Sequence, residues 1–545
     1  MDPRLLRLYN DELTHLREVG AEFAQEFPKI AARLGLEGME VADPYVERLL
    51  EGFAFLAARV QMKIDAEQPR LVAHLLESIH PNFLSPVPSM MVARLAVDTS
   101  DPNLAKGHVV ARGAKLLASV PRGQDTRCEF RTAHDVTLWP IELVSVKYAS
   151  YTPDLPLNRI APAQGTKGAL RIRLRAGGGL GFSQIGIDKL AFYISAGDDT
   201  AFRLHELVLG AALGTWVSGD VANPARQWRP AAESLRALGL EPDEALLPES
   251  MRAFSGHRLL QEVAALPQRA LFFEIGDLAS RLAQVSGDEV ELVIAFARAD
   301  AALESLVDEA SLALHCTPAI NLFRKRLDRV PLNDGAWEYH VVPDRTRPMD
   351  YEVHSLDEVV GHGSGRQGQR DFRPLYATFH DTPPEGHGYY TVRREARLLS
   401  DRQRLQGPRS AYIGEELFVS LVDANHGPFR EEMRQLAVSA WVTNRDLPLL
   451  LPQSGAAVWR MESPGPVAGV QAMRGPTRPV SRRPVGELGW QLVSLLTQNH
   501  LSLSGETPEH AAAALRTTLQ LFGPPQDPVW TRQVDGVRAL RVRPT

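Results

Sequence analysis

The chain has 545 residues, 44% hydrophobic and 23% charged, a composition that folds over most of its length and a size that calls for roughly three or four domains. Sixty basic residues against sixty-six acidic ones leave a net charge of -6, so no whole-chain field favours nucleic acid or an anionic membrane. Two distant cysteines, Cys128 and Cys316, exclude a disulfide framework and any cysteine-based metal cluster, and point to a reducing compartment.

The amino terminus mixes charge with leucine and does not read as a signal peptide. No stretch approaches the ~20 apolar residues of a membrane helix, so the expectation is a cytoplasmic chain with no direct membrane insertion. Tyr9, Leu13, Leu16, Gly20, Phe23, Phe27, Ile30 and Leu34 recur at steps of four and three, one seam of a helix. Pro28 should break that helix near Phe27 and open a second short one. Asp43-Pro44 reads as a capped helix start carrying the stripe Val46, Leu49, Leu50, Phe53, Leu56, Val60, Ile64. Pro69 is expected to restart a third helix, and Pro81, Pro86 and Pro88 to end the helical region. This gives an N-terminal helical region over 1–90.

From 91 to 165 the sequence predicts antiparallel β-structure, with strands at 108–111, 115–120, 128–132 and 135–143 and a turn at Arg112-Gly113. Residues 166–345 mix strands such as Leu170–Leu174, Leu190–Ile194, Ala270–Ile275 and Glu291–Phe296 with shorter helices, an α+β middle domain. Residues 346–545 read as a mixed α+β region with mobile loops near 361–370 and 452–485, the latter rich in proline and carrying Arg474, Arg478, Arg482 and Arg483. Two helices close the chain, one around Trp490 and one capped by Thr507-Pro508 and stopped by Gly523-Pro524. The fold class is α+β and multidomain.

Reactive constellations are not legible. No histidine pair sits one helical turn apart around a carboxylate, as zinc hydrolases require. His74 and His80 read as surface or capping residues, and the adjacent His315 and Cys316 should point to opposite faces of a strand. The glycines of 177–181 lack the spacing of a phosphate loop, and Ile185 stands where a nucleophile elbow at Ser183 needs glycine. Glu415-Glu416 and Glu431-Glu432 read as solvated surface, and the arginines of 474–483 lack the interleaved aromatics of an RNA site. The sequence therefore assigns no catalytic residue, no metal and no cofactor. The remaining candidate is a protein interface on the helical start, anchored by Tyr9, Phe23, Phe27, Phe53 and Phe55. Packing of these helices on one another is the other reading and stays open.

Seven strings, taken in order and at their spacing, resemble a known family: Asp43 to Leu56, Ser78 to Met90, Phe254 to Glu262 with Leu271-Phe272-Phe273, Cys316 to Phe323, Val341 to Asp344, Thr443 to Pro448, and Asn499 to Leu503. Together they are similar to TssF, also called ImpG or VasA, the baseplate subunit of the bacterial type VI secretion system. The resemblance implies a non-catalytic scaffold without cofactor, similar in fold to the wedge proteins of contractile phage tails. It implies two copies paired with one TssG, six wedges around a VgrG spike, TssK as the link to the membrane complex and TssE as the link to the sheath. The place implied is the cytoplasmic side of the inner membrane, and the function implied is conformational change on firing. Family members usually continue past the position of Thr545 into a further β-rich segment. On this reading Tyr9, Leu13, Leu16 and Phe23 join a helical bundle with TssG and the second copy. In Asn444-Arg445-Asp446 a structural turn with local bonds is expected. The competing class is a hydrolase or a carbohydrate- or ligand-binding module on the β-rich middle.

Overall fold

Prolines and caps set the first helical boundaries. In a computed structural model, α1 (Pro3–Glu26) ends one residue before Phe27, and α2 (Pro28–Leu34) opens on Pro28 as expected. Gly35 closes α2 in the left-handed conformation at φ 66°, where a Cβ would lie 2.8 Å from the Asp43 amide nitrogen, a position that glycine alone occupies without strain. The Asp43 carboxylate then accepts from the Tyr45 amide at 2.9 Å and caps α3 (Pro44–Ile79). The structure describes residues 3–37, 40–80, 83–152, 154–155, 160, 163–218, 224–249, 254–333, 335–363, 368–375, 388–398, 407, 409–422, 433–452, 458–462, 465–481, 487–497, 507–523 and 527–542.

Helix α3 runs through position 69 without restarting, which corrects the expected third helix. A proline inside a helix costs about 3 kcal/mol. Burying Val72 and Leu76 beyond it contributes about 1.5–3 kcal/mol each, enough to hold one continuous rod. The backbone N–H of His80 bonds Leu76 O as the carboxy-terminal cap, and its ring meets Phe83 edge-on.

The chain divides into two units, 1–84 with 483–502, and 85–482 with 503–545. In the first, α1 packs on α3, and α3 on the helix Glu487–Thr497. The second unit holds three β modules. A closed barrel takes the strands Cys316–Ile320, Met90–Val97, Val467–Arg474, Trp459–Met461, Lys115–Ala118 and Glu129–Thr132 in that order. Two of these lie in the segment 452–485 read as loop. Trp459 and Val470 carry it into the barrel core, where Trp459 meets Phe130 edge-on at 5.1 Å. Backbone irregularities at Val467/Gly469 and Ala472/Arg474 break the alternation that makes a strand visible in sequence.

The Arg112-Gly113 turn does not join a hairpin. His108–Val110 pairs with Val136–Leu138, while Lys115–Ala118 pairs with Glu129–Thr132. Beside the barrel lies a five-stranded sheet ordered Trp228–Pro230, Ala212–Ser218, Glu289–Phe296, Gly168–Ala176, Ile141–Ala149, and a four-stranded one ordered Leu235–Ala237, Phe272–Ile275, Leu190–Ile194, Leu312–Leu314. Their facing side chains share one core with α4 (Asp198–Gly210), including Leu170, Ile172, Phe192, Phe272 and Leu204. The strand Met90–Val97 is buried on both faces over most of its length: Met91, Ala93 and Leu95 enter the barrel, while Met90 and Val92 enter the sandwich core.

The third module is an eight-stranded sheet centred on Glu352–Gly363 and Met433–Thr443. Residues 361–363 and 369–370 of the expected loop belong to its strands; 364–367, 383–387 and 431–432 lie outside the described residues. Helix α5 (Ser255–Ala265) receives α6 (Pro508–Phe522) through His257 stacked on Phe522 at 5.1 Å. Thr507 caps α6 as expected. A further helix, α7 (Pro528–Asp535), follows under its own Asp527 cap and was missed because only eight residues carry it. The fold is α+β and multidomain.

Candidate protein interface

Helix α3 carries two unlike faces. Ala54 and Ala58 are fully buried, and their small side chains let a neighbouring helix approach closely. Tyr45, Leu49, Phe53, Leu56, Val60 and Ile64 follow at steps of four and three, within an arc of about 100°. All six are exposed, Leu49 at 73% and Phe53 at 59%. Over the about 19 steps from Tyr45 to Ile64 the stripe is about 29 Å long. Each Å² of apolar surface left wet forgoes about 25 cal/mol, which makes the stripe the candidate docking face.

The candidate residues separate accordingly. Tyr9, Leu13, Leu16 and Phe23 on α1 are half-buried, on a helix that packs against α3 and is tied to it by Arg17 and Glu47 at 3.3 Å. Phe27 is exposed and lies 5.2 Å from Phe23, ring to ring. Phe53 belongs to the α3 stripe. Phe55, two residues on, is turned about 200° away, exposed, with Arg59 over its ring at 6.0 Å. Phe53 is the anchor that its aromatic ring singles out within this stripe; Leu49, Leu56, Val60 and Ile64, and Tyr45 before them, share its helical spacing and are legible by the same periodicity.

Asn444-Arg445-Asp446 is a structural turn, but its partners are remote in the chain. Asn444 Oδ1 accepts from Glu129 N at 2.9 Å and Asn321 Nδ2 at 2.8 Å, and Asn444 N donates to Asn321 Oδ1 at 2.7 Å. Asp446 holds Arg409 at 2.5 Å and Ser410 at 2.6 Å, so its carboxyl sits below the ordinary range despite burial. Arg445, left-handed at φ 57°, donates to the carbonyls of Tyr412 and Ile413. The turn locks the barrel strand Glu129–Thr132 to the eight-stranded sheet.

Glu415 is buried, which corrects its assignment to solvated surface. It accepts from Ser481 Oγ, and its backbone N–H donates to Glu352. Burial first, then the Glu415 charge, pushes Glu352 up to about 7; Tyr412 donates to it at 2.7 Å. His315 and Cys316 are both buried: His315 Nε2 accepts from Trp139 N at 3.2 Å, and burial pushes the Cys316 thiol up to about 12. Such a thiol is a poor nucleophile. Gly177–Gly181 stays in a loop, and Ser183 sits in a short 3-10 turn. A cleft of about 1210 Å³ opens between α4, α7 and residues 477–481, with its acids engaged: Asp198 by Gln268, Glu206 by Arg298, Asp527 as the α7 cap. Among the described residues no three or more His, Cys, Asp and Glu side chains converge to hold a metal ion, and no helix is long and apolar enough to cross a membrane.

A helical unit with an exposed apolar stripe, carried by a chain whose β modules are locked by a buried polar turn, defines a multidomain α+β chain. The chain belongs to the type VI secretion system TssF family, whose description matches residues 1–545. The type VI secretion system component TssF1 of Pseudomonas aeruginosa is 47% identical over 552 residues, covering 100% of this chain and 87% of that relative. Two solved assemblies share the fold at 23% identity. One is the type VI secretion system TssK-TssF-TssG baseplate subcomplex, at a TM-score of 0.64 over 90% of this chain and 84% of the other. The second is the type VI secretion baseplate complex, at 0.53 over 97% and 85%.

Proposed function

We propose that this chain is a non-catalytic structural subunit of the type VI secretion baseplate wedge, working at the cytoplasmic face of the inner membrane. Two copies pair with one TssG, TssK connects the wedge to the membrane complex, TssE connects it to the sheath, and the ring surrounds the VgrG spike. Its work is mechanical: a bistable assembly holds the sheath extended and rearranges when partners bias it. Family membership supports the setting, and the observation that carries the docking role is the exposed stripe Tyr45 to Ile64 on α3. The half-buried α1 seam of Tyr9, Leu13, Leu16 and Phe23 completes the same bundle, with Phe27 and Phe55 at its margins.

Co-expression with tagged TssG tests this. The triple variant Leu49→Asp, Phe53→Asp, Leu56→Asp changes exposed positions and is expected to keep its helical circular dichroism while losing TssG in the pull-down. Retained stoichiometric capture overturns the role of the stripe.

A further inference from the structure

The charge around the α3 stripe says what kind of helix covers it. Over residues 45–64 one flank carries Arg48, Arg59 and Lys63, all exposed, on the same side of the stripe at 100° per residue. The acids of that stretch are already engaged: Glu47 by Arg17 of α1 at 3.3 Å, and Glu51 by Arg48. Arg59 and Lys63 have no carboxylate partner among the described residues; Arg59 only overlies the Phe55 ring. The other flank, Leu50, Ala57 and Gln61, is uncharged.

This pattern disfavours a second copy of α3 as the occupant. In an antiparallel pair the basic flanks would face each other, and in a parallel pair the basic flank would face the neutral one. Neither answers the two cations. We infer that the α3 stripe receives an amphipathic helix of a different protein, one whose apolar row is bordered by Asp and Glu on the side facing Arg59 and Lys63. The inference rests on the docking role proposed above and adds the chemistry of the partner: apolar burial supplies the affinity, the carboxylates set register and exclude self-pairing.

The test uses the full chain and two synthetic 21-residue helices sharing one leucine stripe, one flanked by Glu and the other by Lys, with fluorescence anisotropy read at 50 and 500 mM salt. The Glu-flanked helix is expected to bind roughly tenfold tighter at low salt, as two exposed ion pairs against two like-charge contacts allow, with the gap closing at high salt. Arg59→Glu with Lys63→Glu should reverse the preference while the folded chain is unchanged, since both positions are exposed. Equal binding of the two helices, a preference indifferent to the reversal, or self-association through α3 seen in sedimentation overturns the inference. The docking role fails separately: it falls if Leu49→Asp with Phe53→Asp leaves both helices bound as tightly as before.

Discussion

Asn444 shows how much one buried side chain holds. Its side-chain oxygen accepts from Glu129 N and Asn321 Nδ2 at once, so Asn444→Ala strands the partly buried Glu129 N–H and removes one of the bonds that hold the buried Asn321 carboxamide. A loss of about 2–3 kcal/mol is expected, read as a lower urea midpoint. Glu352 gives the residue-scale pH effect. Its folded value near 7 lies above the ordinary carboxylate value, so the folded state holds a proton that the unfolded chain has released. Stability therefore falls as pH rises from about 4.5 to 7 and stays reduced above. Glu352→Gln removes the charge, and its thermal midpoint at pH 8 should exceed that of the parent, by about 3 kcal/mol of stability at most. A parent and variant with identical pH profiles would contradict this.

At the scale of elements, helix α5 is fastened by a buried ion cluster. Glu262 accepts from the amides of Leu246 and Leu247 and pairs with Arg258 at 2.9 Å and Arg269 at 2.8 Å. The string Phe254 to Glu262 is thus a packing device: Glu262 pins the loop before its own helix. Glu262→Ala strands two buried guanidinium groups and should cost about 3–5 kcal/mol. The same removal at the exposed pair of Glu206 and Arg298, 2.9 Å apart, should cost no more than about 1 kcal/mol. Denaturant titration of both variants checks the contrast. Helix α3 shows the opposite balance: a proline it tolerates inside, and an outer apolar face it leaves exposed.

For the whole molecule, buried histidines set the acid limit. His134 is held down to about 3 by burial and then by Arg269, His354 to about 3 by burial and then by Arg394, and His315 to about 4 by burial and then by Arg94. All three stay neutral in the fold while the unfolded chain protonates near 6.5. Stability must therefore fall as pH drops below about 6.5, each histidine contributing up to about 1.4 kcal/mol per pH unit. Three histidines outweigh the opposing slope of Glu352, so the thermal midpoint should peak near neutrality and drop steeply towards pH 4. A flat profile from pH 7 to 4 would contradict the burial of these rings.

Local patterns were readable wherever one residue type has one physical consequence. Pro28 and Asp43-Pro44 placed the helix boundaries, two isolated cysteines ruled out a cross-linked framework, and Leu190 to Ile194 announced its strand by composition. The family strings, read together, identified the family across the whole chain. Pairing was not readable. Trp459 to Arg474 looked like a linker because irregular strands lose their alternation, and only the barrel supplies its neighbours. Glu415 looked solvated because a strand shows its own two faces but not the sheet that covers one of them. The α3 stripe was visible as periodicity, yet a helical period says only that a face is apolar. Whether that face is buried at home or left open for another chain depends on which helices reach it, and that is decided by long-range packing, which no local window of sequence contains.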